Sequence, residues 1–292
     1  MTSNFLTFDV EHWYEGYRHR STGGWEGFPP RDDRTVEKLL ALLEEFQIKA
    51  TFFVTGAFAQ DFPVLLRRVA AAGHELASHS FDHIVVDRLP SEQAFREDLR
   101  RSVCIIEDVS GEKVWGYRAP KWSIPKEVEW FYEALLSEGL KYDSSLFPHL
   151  RESDVPDQPY IQKLSSGREI WEIPATTLRL AKMRLPVAGG LWLRLFPRFV
   201  TELAFRQGQT RGCPRMIYVH PYDLDPECPR LRSAMMVSSF PFFFARYFRL
   251  ASTEKILREV FQSYSFVSIR RWLDAGAAMQ PITVELGQST AR

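Results

Sequence analysis

The sequence predicts an α/β fold: seven or eight strand–helix units arranged as a distorted (β/α)7–8 barrel in a single domain. Three observations carry this expectation. Short apolar runs of strand type alternate with runs of helical period, the signature of parallel strands joined by crossover helices. No internal repeat or low-complexity linker divides the 292 residues, so the chain reads as one unit over 1–292, with 227–292 as a C-terminal extension packed on the barrel. Polar residues able to do chemistry follow directly after several strands, at the end where barrels carry their sites. A doubly wound open sheet is the alternative arrangement of the same alternation.

The elements follow in order. Residues 4–8 form a short strand running into Asp9. Residues 35–46 are helical, because Val36, Leu39, Leu40, Leu43 and Phe46 recur on one face. The run ATFFV, residues 50–54, is a buried strand closed by Thr55 and Gly56. A helix over 63–72 stops at Gly73, and 75–78 is the third strand. Ser91 caps a long helix through Val109 that ends at Ser110 and Gly111. Residues 113–117 are strand four, and Pro125 suits the first turn of a helix reaching Ser137. Strands follow at 141–143, 169–173 and 216–219, the last leading into His220. A helix over 254–261 and a final strand over 266–269 close the series.

Composition limits the function classes. Apolar residues make up 45% and charged residues 25%, as in ordinary globular proteins. Basic and acidic residues balance at 37 each without a long basic run, so no nucleic-acid partner is expected. Cys104, Cys213 and Cys228 are odd in number and fit no zinc-finger spacing, which favours a reducing compartment. The N-terminal stretch MTSNFLTFDVEHW lacks a basic region followed by a long apolar one, and no run reaches the ~18 apolar residues of a membrane span. The expected location is the cytoplasm, at or near the inner face of the membrane. Aromatic residues reach 14%, which suits either sugar stacking or a large barrel core.

The chemistry concentrates in a few short segments. His79 and His83, four apart in ASHSFDH, can face one metal ion from a helical turn or a tight loop; alone, such a pair is as compatible with a structural role. Asp9 and Glu11 are two apart in an extended segment and so point to one side. One carboxylate could bind a metal while the other acts as a base, the composition of a hydrolytic metal site. A solvated acidic turn is the bland alternative. His220 directly follows RMIYV, and is either a satisfied core histidine or a proton donor at the rim. Arg118, in GYRAPKWSI, is either a surface arginine or a group that lowers a nearby carboxylate's pKa.

Together and in order, these residues resemble the motifs of the polysaccharide deacetylase family, also known as the NodB-homology or carbohydrate esterase four family. TFDVE resembles its first motif, HSFDH the second, RAPKWSI the third, YDSSLFP the fourth and IYVHP the fifth. Within the family, the DVE-type first motif and HPYDLDPECPR are most similar to the exosortase-associated polysaccharide deacetylases. LPVAGGLWLRLFP and ARYFRLASTEKILREVF are similar to the later parts of that branch.

The resemblance implies a distorted barrel of the NodB-homology type and a metal-dependent hydrolase. Its substrate would be the N-acetyl group of an amino sugar in a cell-surface polysaccharide or its lipid-linked precursor. It implies Asp9 as base, Arg118 as the group positioning it, and His220 as general acid. Glu11, His79 and His83 would be the metal ligands. Asp143, in the fourth motif, is a guess as partner of His220, and His12 receives no role. Two nitrogens and one oxygen suit zinc, with cobalt, nickel and iron compatible.

Trp13, Tyr14, Trp122 and Trp192 are candidates for stacking on sugars or for core packing. Gly189 and Gly190 admit a ligand or form a turn. The aromatic segment 241–250 (PFFFARYFRL) is read as a lid, with peripheral membrane contact as the alternative. Rival functions are a deformylase or cyclic-amide hydrolase using the same site, and a catalytically inactive glycan-binding relative. The presence of both a base and an acid speaks against the last.

Overall fold

The computed structural model describes residues 3–15, 28, 31–125, 127–148, 156–181, 183–230, 240–277, 279 and 281–285; of 240–243 only the backbone is described. Its strands are β1 (Asn4–Val10), β2 (Thr51–Val54), β3 (Glu75–Ser78), β4 (Gly116–Tyr117), β5 (Tyr142–Asp143), β6 (Tyr160–Lys163), β7 (Glu169–Glu172), β8 (Thr177–Leu180), β9 (Met183–Pro186), β10 (Met216–Val219), β11 (Phe266–Val267) and β12 (Ile282–Glu285). Seven of them run parallel in the order β10-β1-β2-β3-β4-β5-β7. β6 continues antiparallel to β7 and pairs with β12, β11 lies beside β1, and β8–β9 is a separate hairpin.

The side-chain alternation of the strands turns this sheet into a barrel. On β1, Leu6, Phe8 and Val10 join the outer core with Val36 and Leu39 from the Asp32–Glu45 helix. Phe5, on the opposite face, packs with Phe53, Ala77, Tyr142, Ile173 and Met216, one residue from each of six segments around the ring. Such a cluster forms only where the strands curve round a common interior. The gap between the segment after β7 and β10 lacks a ladder, and there the backbone N–H of Met216 donates to Thr176 Oγ1 at 2.6 Å. Thr7, Asp9 and Glu11 share the inward parity of Phe5, so the same alternation that fills the barrel aims both carboxylates at its mouth.

Several expected elements agree within a residue or two, and β3 and β10 agree residue for residue. Three regions differ. The helix near Pro125 begins only at Val128, because Lys121 and Trp122 adopt left-handed backbone and the Pro120–Trp122 turn delays it. The final strand ends at Val267, since Ser268 Oγ accepts from Arg271 N and caps a helix over Ile269–Asp274. β6, the β8–β9 hairpin and the Arg198–Arg211 helix were not anticipated. Of the segment 227–292, residues 231–239, 278, 280 and 286–292 lie outside the described residues. No described helix is long and apolar enough to cross a membrane.

Candidate active site

Glu11, His79 and His83 converge although 68 residues separate the first from the second. One ligand atom from each lies within 4.8 Å of the other two, and all three side chains are buried. β1 delivers Glu11, and β3 delivers His79 one residue past its end. His83 arrives on a tight loop in which Ser80 and His83 adopt positive φ. That costly backbone is held from several sides. Ser80 Oγ accepts from His83 N at 3.0 Å, Ser102 Oγ of the Glu92–Ser110 helix donates to Ser80 O at 2.9 Å, and Asp98 accepts from Phe81 N. Gly56 is required beside this loop, because a Cβ there would collide with the Phe81 ring.

The donor chemistry fits a cation. His79 Nδ1 donates to the carbonyl of Arg118 at 2.7 Å, which leaves Nε2 as a lone-pair donor. Burial then keeps this imidazole neutral, with its pKa pushed down to about 4. Glu11 Oε2 stands 2.6 Å from His83 Nε2, yet this buried oxygen meets no hydrogen-bond partner in good geometry. Burial alone would raise the Glu11 pKa, but His83, with His220 and His79, holds it well below the usual carboxylate range. An ionised carboxylate set closely against two imidazoles forms a cation-binding set.

Asp9 lies beside this group without belonging to it. Arg118, fully buried inside the barrel, donates from Nη1 to Asp9 Oδ1 at 2.6 Å and to Thr7 Oγ1 at 3.0 Å, while Nη2 donates to Ser144 Oγ at 2.9 Å. The guanidinium stacks over Phe53 at 3.9 Å. Burial opposes charge on Asp9, but Arg118, followed by His79 and His220, overrides it and lowers the pKa.

His220 completes the rim from β10. Its Nε2 is 3.8 Å from Glu11 Oε1, and it is one quarter exposed where the other groups are sealed. Asp223 holds it: Oδ2 accepts from His220 N at 3.0 Å and lies 3.6 Å from Nδ1. Arg194 in turn donates to Asp223 Oδ1 at 2.6 Å, and Gly190 makes room, since a Cβ there would strike the Asp223 carboxylate. Burial would lower the His220 pKa, but the Asp223 contact and then Glu11 raise it. Tyr222 stacks on the imidazole at 4.5 Å and donates from its hydroxyl to Glu11 Oε1 at 3.2 Å. Arg246, from the Phe240–Tyr247 helix, sits 3.3 Å over the Tyr222 ring and donates to Trp13 O.

The six residues singled out in the sequence, Asp9, Glu11, His79, His83, Arg118 and His220, therefore meet at one mouth. Asp143 does not. It follows Tyr142, whose ring faces the interior, so it points outward, where it accepts from Ser145 Oγ at 2.6 Å and pairs with Glu172. Asp223 takes the place imagined for it. Its position three residues after His220 in HPYD was the available signal. His12 turns away to Asp61 at 3.0 Å. Trp13 is buried against Cys228, Tyr247 and Leu250. Trp192 lines a cleft of about 240 Å³ that contains His220, Tyr218 and Tyr222. Gly189 and Gly190 serve the chain's own Tyr218 and Asp223.

Comparison with known proteins bears on the fold and the family. The polysaccharide deacetylase family model matches residues 5–137, and a domain of unknown function (DUF3473) matches 144–274. The second match is consistent with the exosortase-associated branch. Among relatives, a peptidoglycan deacetylase of Helicobacter pylori is 33% identical over 112 residues, 38% of this chain and 36% of that protein. A chitooligosaccharide deacetylase of Sinorhizobium fredii is 50% identical over 46 residues, 16% of this chain and 21% of that protein. The matches thus span about a third or less of these relatives' lengths. The crystal structure of a polysaccharide deacetylase from Mycobacterium smegmatis, itself of putative assignment, superposes with a TM-score of 0.62 at 20% identity, covering 97% of this chain and 94% of that one. The fold is thus shared along almost the whole chain, and the part that carries Asp9, Glu11, His79, His83 and Arg118, within residues 5–137, matches the polysaccharide deacetylase family.

Proposed function

We propose that the protein is a metal-dependent hydrolase that removes N-acetyl groups from amino sugars of a polysaccharide or its lipid-linked precursor. One observation carries the reading: an ionised carboxylate and two imidazoles meet at the barrel mouth, with a separate arginine-held carboxylate on one side and a raised-pKa histidine on the other. Glu11, His79 and His83 would hold the cation, with zinc the first choice for two nitrogens and one oxygen. A divalent cation there supplies Lewis acidity toward the acetyl carbonyl and lowers the pKa of water.

Asp9, kept ionised by Arg118, takes the proton from the attacking water at its carboxylate. Arg118 Nη1 holds only Oδ1 of Asp9 and so leaves its Oδ2 for the proton. His220, its pKa raised by Asp223, gives its proton to the departing amine, and acetate and a free amino sugar leave. Arg194 keeps Asp223 anionic. Trp192 gives the cleft beside His220 a flat apolar wall suited to a sugar ring.

The test is metal analysis of the purified protein alongside product detection from acetylated chito-oligosaccharides, peptidoglycan fragments and formylated amino sugars. Bound metal and acetate release that both disappear in His79→Ala and His83→Ala support the reading. Formate in place of acetate, or acetate release undiminished in those variants, would overturn it.

A further inference from the structure

The described residues expose eight large apolar side chains, and four of them lie on one unit remote from the metal-ligand group. Leu180 and Met183, 47% and 58% exposed, are cross-strand partners at the tip of the β8–β9 hairpin. Phe199 and Leu203, 66% and 42% exposed, stand on the Arg198–Arg211 helix. Positions 199, 203 and 207 form one i, i+4, i+8 row. Gln207 ends that row against the hairpin: its Oε1 accepts from Arg179 N at 3.1 Å and its Nε2 donates to Arg179 O at 2.9 Å. Leu180 is the next residue. The four apolar side chains therefore line one ridge across helix and hairpin. Scattered exposed apolar residues are ordinary, but a contiguous group is not.

The ridge is set in positive charge. Arg206 is exposed on the helix, the Arg179 side chain is 40% exposed on the hairpin, and Arg198 stands between Glu202 and Glu259, in a chain whose net charge is zero. Asp157, the acid beside them, is shared among four arginines, Arg211 at 3.1 Å, Arg184 at 3.8 Å, and Arg179 and Arg215 at 3.9 Å. The ridge also leads toward the site. Phe196, just before the helix, stacks on Trp192 of the His220 cleft at 5.9 Å. On its other side lies a cleft of about 260 Å³ containing Leu193, Phe196 and Ile256 together with Arg198, Arg249 and Lys255.

We infer that the β8–β9 hairpin and the Arg198–Arg211 helix form a docking surface for an anionic lipid bilayer. The apolar ridge enters the headgroup boundary and the arginines meet lipid phosphates. Charge selects this occupant. In a symmetric dimer through this face the ridge would confront its own basic surround, whereas an anionic surface complements it. The inference is independent of the metal-site chemistry, because none of these side chains belongs to that machinery.

Sedimentation of the full chain with vesicles of phosphatidylglycerol and phosphatidylcholine, against phosphatidylcholine alone, tests it. Expected is binding to the anionic vesicles that weakens with salt, falls about fivefold in Arg206→Gln and about tenfold or more in Phe199→Ser/Leu203→Ser. Acetate release from soluble oligosaccharide stays at the parent level. Leu180→Ser/Met183→Ser repeats the measurement on the hairpin, so a folding defect in either variant is separable by its melting curve. Absent binding, equal binding to neutral vesicles, binding insensitive to both double variants, or a concentration-dependent dimer abolished by Leu203→Ser would overturn it.

Discussion

Two pockets at the strand ends of one barrel hold fully buried carboxyl groups whose pKa values move in opposite directions. Inside, Asp9 faces Arg118 and its pKa falls. On the outer face, Glu172 lies against Asp143 beneath Tyr132, and its pKa is driven up, by burial first and by Asp143 second. Burial pushes both groups toward the neutral form, so depth does not distinguish them. The partner does: a guanidinium overrides the desolvation penalty, and a second carboxylate adds to it. Asp223 with Arg194 repeats the Asp9 solution on the other side of the mouth. In both cases an arginine sits behind the acid and leaves the catalytic group facing the mouth.

The comparison can be broken most sharply at Asp9. Asp9→Asn keeps shape and removes the base, and turnover is expected to fall about a hundredfold to ten-thousandfold while metal content by elemental analysis stays at the parent level. Retained turnover would break the assignment. Next, Arg118→Met strands a buried carboxylate and is expected to cost about 3–5 kcal/mol in denaturant titration. Adding Asp9→Asn should restore part of that loss, a coupling that a double-mutant cycle measures. Asp223→Asn should lower kcat about tenfold to a hundredfold, as loss of a supporting partner does. It should also move the basic limb of the pH–rate profile to lower pH, because the raised His220 pKa then drops.

The smallest effect belongs to the outer pocket and has the opposite pH sign. A carboxyl whose folded pKa is raised, like Glu172, is fully stabilising below its unfolded pKa, and that contribution declines as pH rises toward the folded value. Asp9 and Asp223, with lowered pKa values, contribute above the unfolded pKa and lose it on acidification. Glu172→Gln should therefore remove a decline in stability that sets in as pH rises above the unfolded carboxylate pKa, an effect of about 1 kcal/mol, measured by thermal or chemical denaturation across pH. A profile unchanged from the parent would show that burial and Asp143 do not raise the Glu172 pKa.

Much of the site was readable because it follows strand ends. The inward parity of Asp9 and Glu11 comes from strand period, and His79 and His220 each stand one residue past an apolar run. Asp143 misled for the same reason. It too ends a strand, but on a strand of two residues nothing in the local pattern says which face is inward. The packing of Tyr142 inside the ring decides that. The support of His220 was hidden differently: Arg194 and Arg246 lie 26 residues on either side of it, and no spacing rule joins them.

By itself, then, the chain determined which local elements would form and which polar groups they would carry, since periodicity, caps and strand parity act over a few residues. The tertiary structure alone decided which way each buried acid's pKa moves. A carboxyl group's charge depends on what meets it across the barrel, and Arg118, 109 positions after Asp9, reaches it only when the ring has closed.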